Sequence, residues 1–155
     1  MCLHGSLDYC IFVAQMRLAL GADHAGYDLK QNLVHLLRGL GHDVADFGTN
    51  SAERADYPDF AHPVAAAVEQ GQAELGVLVC GSGNGVCIAA NRHVGVRAVL
   101  AWLPEVAALG RQHNDANVLC LPARYVDTDQ AHQIVAAFLA ASFEGGRHQA
   151  RVEKI

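Results

Sequence analysis

The stretch LGVLVCGSGNGVCIAAN, residues 75–91, decides the fold of this chain. It begins with a short apolar run rich in valine, which predicts a buried strand over residues 75–79. Cys80 stands where that strand should end, and residues 81–85, here called the glycine loop, contain three glycines. The apolar pattern that resumes over residues 86–90 favours a helix. Strand, glycine loop and helix in this order place backbone N–H groups around an anion at a helix N-terminus, with a thiol beside it.

Three well-known motifs do not fit the glycine loop. The dinucleotide fingerprint G-x-G-x-x-G fails because its sixth position is Val86 when counted from Gly81 and Ile88 when counted from Gly83. A G-x-x-x-x-G-K phosphate loop lacks its lysine, and a cysteine phosphatase would need an arginine six residues after Cys80. The loop therefore suits an anion, but not a mononucleotide held in these ways. The alternative is a tight strand-to-helix turn with incidental glycines, which three glycines in five residues disfavour.

Strands and helices alternate along the rest of the chain. Short apolar runs predict strands over residues 17–21, 42–47, 75–79, 95–101 and 117–121. Helical spacing of apolar residues predicts further helices over residues 27–40, 60–70, 104–113 and 128–141, and a short C-terminal helix over 147–155. The expected fold is a single three-layer αβα domain of the α/β class. Its core is a doubly wound, five-stranded parallel sheet of the Rossmann or flavodoxin-like type.

Composition narrows the classes of function. The chain has 155 residues, of which 52% are hydrophobic and 17% charged, which suits one domain with a full core. A net charge of −5 without a basic run argues against binding to nucleic acid or an anionic membrane, and no apolar segment approaches a membrane span. The five cysteines form no C-x-x-C pair. We therefore expect a reducing compartment, the cytoplasm, with no disulfide framework and no zinc site.

The N-terminal residues differ from the rest of the chain. The stretch MCLHGSLDYCIFVAQ, residues 1–15, has no basic region before its short apolar part and no small-residue cleavage site, so it does not resemble a signal peptide. Met16 directly precedes the first predicted strand. We expect residues 1–16 to be a flexible or loosely docked extension, and residues 17–155 to form the functional domain.

Two groups of polar side chains are expected at one edge of the sheet. Asp23 and His24 follow the first strand, as Cys80 follows the third, and parallel folds bind ligands beyond the carboxyl ends of their strands. Alternatively, Asp23 caps the next helix and His24 is a solvated turn residue. Cys80 is either a buried structural thiol or a thiolate stabilised at a helix N-terminus, where it can act as nucleophile or general base. Cys87 and Cys120 fall within a helix and a strand, and we expect them in the core.

Two further polar stretches lie closer to the C-terminus. In RQHNDAN, residues 111–117, His113 and Asn114 suit a polyol, although a polar loop after a helix explains them as well. In GGRHQAR, residues 145–151, Arg147 and Arg151 are four positions apart and face one side of a helix. Two guanidinium groups on one side suit a phosphate, and the alternative is a solvated basic C-terminus.

Several motifs together resemble one known family. They are ADHAG (22–26), ERADYPDFA (53–61), CGSGNG (80–85), IAANR (88–92), RQHNDANVL (111–119) and EGGRHQARVE (144–153). In this order they resemble ribose-5-phosphate isomerase type B, a family that also includes the galactose-6-phosphate isomerase subunits and an allose-6-phosphate isomerase. The resemblance covers residues 17–155.

The resemblance implies an activity and a set of site residues. The family interconverts ribose 5-phosphate and ribulose 5-phosphate through a cis-enediolate, in the non-oxidative branch of the pentose phosphate pathway, without metal or cofactor. By resemblance His113 assists ring opening, Cys80 moves the carbon-bound proton, and Asp23 and Ser82 handle the hydroxyl protons. The implied substrate ligands are His24, Tyr57, Gly81, Gly83, Asn84, Gly85, Asn114, Arg124, Arg147 and Arg151. The implied assembly is a homodimer or a dimer of dimers.

The family has a second branch, and other functions remain open at this point. By resemblance, that branch lacks the cysteine and uses a glutamate at the position of Val86. Because this chain has Cys80 and no glutamate at residue 86, it should be of the cysteine type. The stretches GSGNG (81–85) and LAW (100–102) are nevertheless more similar to the glutamate branch. The alternatives are an isomerase of a six-carbon phosphosugar, such as allose or galactose 6-phosphate, and a non-catalytic module that binds a phosphosugar or nucleotide. A cysteine-dependent phosphatase or transferase is disfavoured by Val86.

The predicted topology separates two of the implied catalytic residues. Cys80 follows the third strand and lies at the carboxyl edge of the sheet, whereas His113 precedes the fifth strand and lies at the opposite edge. A strand of five residues spans about 17 Å. We therefore expect an active site shared between two subunits of a homodimer, in which His113 of one subunit meets Cys80 of the other.

Overall fold

The computed structural model describes residues 14–155. The expectation of a flexible extension falls almost entirely on residues 1–13, which lie outside the described residues. Met16 already packs against the core, and its backbone N–H donates to Nδ1 of His42 at 3.2 Å. The strands are β1 (Arg17–Ala22), β2 (Asp43–Asp46), β3 (Leu75–Cys80), β4 (Ala98–Leu100) and β5 (Val118–Pro122). The helices are α1 (Tyr27–Gly39), α2 (Pro58–Glu69), α3 (Asn84–Ala90), α4 (Pro104–Asn114), α5 (Thr128–Ala140) and α6 (Gln149–Val152).

The five strands form one parallel sheet in the order β2-β1-β3-β5-β4. This confirms the predicted α/β class and the pairing of β1 with β3, at the point where the strand order reverses. In the flavodoxin order 2-1-3-4-5, β4 would lie beside β3. Here β5 lies between them, which leaves the three-residue β4 as an edge strand.

Helices cover both faces of the sheet, as the alternation of strands and helices predicts. Because side chains alternate along a strand, Leu18 and Leu20 of β1 face the layer of α1, α4 and α5, whereas Ala19 faces α2 and α3. The first face buries Phe138 of α5 completely. The second face is built from smaller side chains, such as Ala61 and Ala65 of α2, so its helices approach the sheet closely.

Several element boundaries differ from the predicted ones. The fourth strand begins at Ala98 and not at residue 95, because Gly95 and Arg97 donate their N–H groups to the side chains of Glu69 and Asn117. Helix α2 begins at Pro58, an imino acid suited to the first helical turn. The predicted C-terminal helix is divided into a 3₁₀ turn over Gly146–His148 and the short α6.

Within residues 14–155, every helix is too short or too polar to cross a membrane.

Candidate active site

An open cleft of about 280 Å³ lies at the carboxyl edge of the sheet, beyond the ends of β1 and β3. It is lined by Asp23, His24, Ala25, Tyr57, Cys80, Gly81, Ser82, Gly85 and Arg124. The structure therefore brings together most of the residues that the sequence predicted for this edge. Asn84 lies on the same loop, exposed, and its side-chain amide donates to Ser82 Oγ at 3.3 Å.

Cys80 is the last residue of β3, and the glycine loop holds its sulfur. The backbone N–H of Gly83 donates to Sγ of Cys80 at 3.1 Å, while the backbone oxygen of Cys80 accepts from Ala123 at 2.9 Å. Gly83 has φ +74°, and a Cβ at this position would collide with the side chain of Leu100. Only glycine therefore fits the turn that aims an N–H at the thiol.

The loop joins helix α3 earlier than predicted. The helix begins at Asn84 and not at Val86, so Asn84 and Gly85 belong to its first turn. Val86 is fully buried and packs on the α2 face of the sheet. Val86 therefore offers no acid–base group to the cleft.

Asp23 caps a turn and also lines the cleft. Its Oδ1 accepts from the N–H groups of Ala25 and Gly26, at 3.0 and 3.1 Å, and caps the 3₁₀ turn over His24–Gly26. A Cβ on Gly26 would lie 2.6 Å from the backbone oxygen of Val79, so glycine permits the close approach of this turn to β3. These contacts fix the Asp23 carboxylate opposite the glycine loop.

Two other side chains of the cleft pack directly on loop glycines. The guanidinium carbon of Arg124 lies 3.2 Å from the place that a Cβ on Gly81 would occupy. The ring of Tyr57 lies 2.8 Å from the corresponding place on Gly85. His24 is tied to the loop before α2, since its Nδ1 lies 3.2 Å from the backbone N of Ala55. The glycines thus allow one cationic and one aromatic side chain to close over the loop.

The other predicted site residues form a second group at the opposite edge of the sheet. Asn114 ends α4 near the start of β4, where its backbone oxygen accepts from Arg97 Nε at 3.1 Å. The ring of His113 stacks on that of His148, with centroids 4.1 Å apart and planes inclined by 11°. Glu144 Oε2 lies 3.7 Å from Nε2 of both imidazoles. We call His113, Glu144, Arg147 and His148 the C-terminal cluster.

Within one chain the two groups are far apart, as the predicted topology requires. Along β5, Val118 pairs with Gly76 at one end and Pro122 pairs with Cys80 at the other. Four residue steps cover about 13 Å, and His113 precedes Val118 by a further five residues. The cleft and the C-terminal cluster therefore lie at opposite edges of the same sheet.

Sequence reasoning assigned no role to Glu144 and His148. Burial lowers the pKa of His148, and the nearby positive charges of His113 and Arg147 lower it further. The available signal was the spacing of Glu144 and His148, four residues apart in EGGRHQAR. The intervening Gly145 and Gly146 both have positive φ, so local pattern alone does not show that the two side chains meet.

The remaining described cysteines lie in the core, as predicted. Cys120 of β5 is fully buried, and burial raises the pKa of its thiol well above the usual range. Cys87 of α3 is partly buried, and a hydrogen bond with Cys120 lowers the pKa of Cys87. Cys80 differs from both because it lines the cleft.

Comparison with known proteins gives one consistent result. The model of the Ribose/Galactose Isomerase family matches residues 18–155. Ribose-5-phosphate isomerase B of Escherichia coli (strain K12) is 50% identical over 139 residues, which are 90% of this chain and 93% of that protein.

Solved structures agree with this comparison over the whole fold. Ribose-5-phosphate isomerase B of Clostridium thermocellum superposes with a TM-score of 0.89 at 45% identity, covering 90% of this chain and 94% of that one. The enzyme of Mycoplasma genitalium, solved with bound ribulose-5-phosphate, has a TM-score of 0.86 at 45% identity. That match covers 89% of this chain and 92% of the other.

Proposed function

Because this chain belongs to the ribose/galactose isomerase family, we propose that it is an aldose–ketose isomerase that interconverts D-ribose 5-phosphate and D-ribulose 5-phosphate. The reaction belongs to the non-oxidative branch of the pentose phosphate pathway. The observation that carries the proposal is the thiol of Cys80, held by the N–H of Gly83 in a cleft that also contains Asp23. A module that only binds a phosphosugar needs neither a positioned thiol nor a carboxylate opposite it.

The reaction requires ring opening followed by a proton transfer between two carbons. In ring opening the bond between C1 and the ring oxygen breaks, the ring oxygen gains a proton, and the C1 hydroxyl loses one. A base then takes the C2 proton, and the electron pair forms a C1–C2 double bond with an enediolate oxygen at C1. Finally the proton returns to C1, and a hydroxyl proton moves from O2 to O1. Apart from the C1–O bond that breaks in ring opening, only protons move, and we propose that side chains and backbone N–H groups of the protein serve each step without a cofactor or metal.

Each proton transfer after ring opening has a candidate group in the cleft. We propose that the Cys80 thiolate takes the C2 proton and returns it to C1, and that Asp23 and Ser82 move the hydroxyl protons. The N–H groups of the glycine loop, from Gly81 to Gly85, stabilise the charge that develops on the enediolate. Tyr57 lies over Gly85 and lines the sugar.

The phosphate group and the ring oxygen require residues from both edges of the sheet. His24 and Arg124 lie in the cleft and suit one side of a phosphate. Arg147 of the C-terminal cluster and Arg151, four residues further on, are both exposed. We propose that a second copy of the chain supplies them, together with His113 for ring opening and Asn114 beside it.

The proposed assembly is therefore a homodimer, alone or within a dimer of dimers, with active sites between subunits. A twofold axis brings the cluster of each copy to the cleft of the other. Exposed apolar side chains on α3 and in the turn after it support such a contact, since Ile88 is 68% exposed and Val94 is 99% exposed.

We also propose that residues 17–155 form the isomerase domain and that residues 1–16 are an extension without a role in catalysis. The family match over residues 18–155 supports this division. The reaction as proposed needs Cys80 as a free thiolate, and thiols stay reduced in the cytoplasm, which is the proposed location.

The test is an isomerase assay of the purified chain with ribose 5-phosphate, allose 6-phosphate and galactose 6-phosphate. We expect the highest kcat/KM with ribose 5-phosphate, without added metal and in the presence of a chelator. Preference for a six-carbon phosphosugar would contradict the assigned substrate. Binding without turnover of any of the three would contradict the assignment as an enzyme.

A further inference from the structure

His148 lies at the centre of the C-terminal cluster, and the proposed mechanism does not use it. It is a buried polar residue with 5% of its surface exposed. One face of its ring stacks on His113. Its Nε2 accepts a hydrogen bond from Nε of Arg147 at 3.4 Å. A single imidazole thus touches the residue proposed for ring opening and a residue proposed for phosphate binding.

The surroundings of His148 favour its neutral form. Nε2 can accept from Arg147 only while it keeps its lone pair, which places the proton on Nδ1. Burial is the main cause that lowers the pKa of His148, and the charges of His113, Arg147 and Arg151 lower it further. The carboxylate of Glu144 acts in the opposite direction. The neutral ring can therefore stack on His113 without placing a positive charge against it.

The same residues also have the composition of a metal site, but not its geometry. Ligand atoms of His113, Glu144 and His148 lie within 4.8 Å of one another. An imidazole binds a metal through the lone pair in its own plane, at about 2.0–2.1 Å for zinc. The two rings are stacked nearly parallel, so their lone pairs lie in separate planes and do not converge on one ion. The arrangement suits a stacked pair that orients one imidazole against another.

We propose that His148 is a positioning residue, which holds the ring of His113 through stacking and the guanidinium of Arg147 through a hydrogen bond. The inference rests on the proposed function and adds a residue to it. The two contacts use different properties of the side chain, since stacking needs a flat ring and the hydrogen bond needs an acceptor. Substitutions can therefore separate them.

Two variants remove one contact each. His148→Phe keeps a flat ring against His113 but removes the acceptor for Arg147. His148→Gln keeps an acceptor at the distance of Nε2 but removes the stacked ring. His35→Phe is the matched control, because His35 is exposed on α1, away from both groups. Each variant is measured as the full-length chain, with circular dichroism and oligomeric state compared with the wild type.

The two variants should differ in which kinetic constant they change. For ribose 5-phosphate we expect His148→Phe to raise KM about tenfold with kcat nearly unchanged, because a contact that orients a charged phosphate ligand is lost. We expect His148→Gln to lower kcat about tenfold or more with KM nearly unchanged, because a misplaced His113 opens the ring slowly. His35→Phe should match the wild type in both constants.

A second measurement isolates the carbon-bound proton. Ribulose 5-phosphate has no five-membered ring to open, so solvent deuterium enters its C1 position through Cys80 chemistry alone. Relative to the wild type, we expect His148→Gln to keep its exchange rate while it loses turnover of ribose 5-phosphate. A merely structural role of His148 would lower both rates together.

The outcomes distinguish this inference from the proposed function. The positioning role would be overturned if folded His148 variants had the same kinetic constants as His35→Phe. It would also be overturned if kcat, substrate affinity and the rate of deuterium exchange all fell together. Either result would leave the isomerase assignment intact. If His148→Phe does not fold, the separation of turnover from exchange in His148→Gln decides alone. A wild-type chain that does not convert ribose 5-phosphate would overturn the proposed function, and this inference with it.

Discussion

The thiol of Cys80 combines two properties that the other described cysteines do not share. It lines the open cleft, and a backbone N–H from the glycine loop points at its sulfur from 3.1 Å. Cys120, by contrast, is buried in the sheet, where its raised pKa keeps it protonated. Position relative to the loop therefore decides which cysteine is suited to proton transfer.

Cys80→Ser should remove most turnover while phosphosugar binding remains. A serine hydroxyl fits the same space but is far too weak a base, and Val86 offers no substitute. We expect kcat to fall about a hundredfold or more, with the affinity for ribose 5-phosphate nearly unchanged by calorimetry. Cys87→Ser, on the core side of α3, is the control and should keep near-wild-type kcat. Wild-type turnover in Cys80→Ser would exclude the thiol as the base.

Gly85→Ala should weaken substrate binding through Tyr57. The added methyl group would lie 2.8 Å from the tyrosine ring, so the ring must move away from the sugar. Loss of one tyrosine contact of about 1 kcal/mol corresponds to roughly a fivefold increase in KM. Gly39→Ala is the control, because a Cβ there meets nothing within 4 Å. An unchanged KM in Gly85→Ala would show that Tyr57 does not line the sugar.

The lowered pKa of His148 predicts how stability depends on pH. Above the ordinary histidine pKa of about 6.5, both the folded and the unfolded chain hold a neutral imidazole. As the pH falls below that value, the unfolded chain takes up a proton that the folded chain resists, so stability is lost. Urea unfolding at about pH 7 and about pH 5.5 should show a smaller loss for His148→Phe than for the wild type or for His35→Phe. An equal loss in all three would contradict this pKa direction.

At the level of single residues, sequence reasoning identified groups that follow a strand or stand in a motif. Asp23 and Cys80 were predicted because the carboxyl ends of β1 and β3 had to meet at one edge. His148 was not, because its contact with His113 joins two distant segments through a turn with two positive-φ glycines. Pairwise stacking of this kind leaves no periodic trace in the sequence.

At the level of elements, periodicity predicted where strands and helices lie but not the order of strands in the sheet. The strand order depends on where each helical connection places the next strand in the sheet. Here β5 lies between β3 and β4. Helix α1 shows a second limit, since its buried side is Lys30, Leu33, Val34 and Leu37. Leu40, which helical spacing placed on the apolar side, is 63% exposed. A charged residue at a core position is not predicted from hydrophobic spacing.

Lys30 links α1 to the end of β2 through a buried ion pair. Its side chain is fully buried, and Nζ lies 2.6 and 2.8 Å from the two carboxylate oxygens of Asp46. Asp46 in turn accepts from the N–H of Gly48 at 2.9 Å. Gly48 and Thr49 then pair with the backbone of Ala22, next to the catalytic Asp23 proposed above. The ion pair therefore holds the loop that supports one wall of the cleft.

Lys30→Met should destabilise the fold by about 3 kcal/mol, because it leaves Asp46 in a largely buried place without its partner. Urea unfolding measures the change. Lys154→Met, near the exposed C-terminus, is the control and should stay close to the wild-type free energy of unfolding. A loss in Lys30→Met no larger than in the control would show that the pair does not stabilise the fold.

At the scale of the whole molecule, one sheet separates the groups that the reaction needs together. The cleft with Cys80 lies at the carboxyl edge, and the C-terminal cluster with His113 lies at the other edge. Topology predicted this separation from the sequence, because a residue that follows a parallel strand and one that precedes its neighbour lie at opposite edges. The relative placement of two copies depends on surface complementarity, which a single chain does not encode in any periodic pattern.

The central claim is that this isomerase builds each active site from Cys80 of one subunit and His113 of another. The most direct measurement unfolds Cys80→Ser and His113→Ala chains, mixes them in equal amounts, refolds them together and assays ribose 5-phosphate. Half of the dimers should be mixed, and each mixed dimer has one intact site, so about a quarter of the wild-type activity should return. Each variant refolded alone is the control and should remain inactive. If mixed dimers form and no activity returns, the site lies within one chain and the claim is wrong.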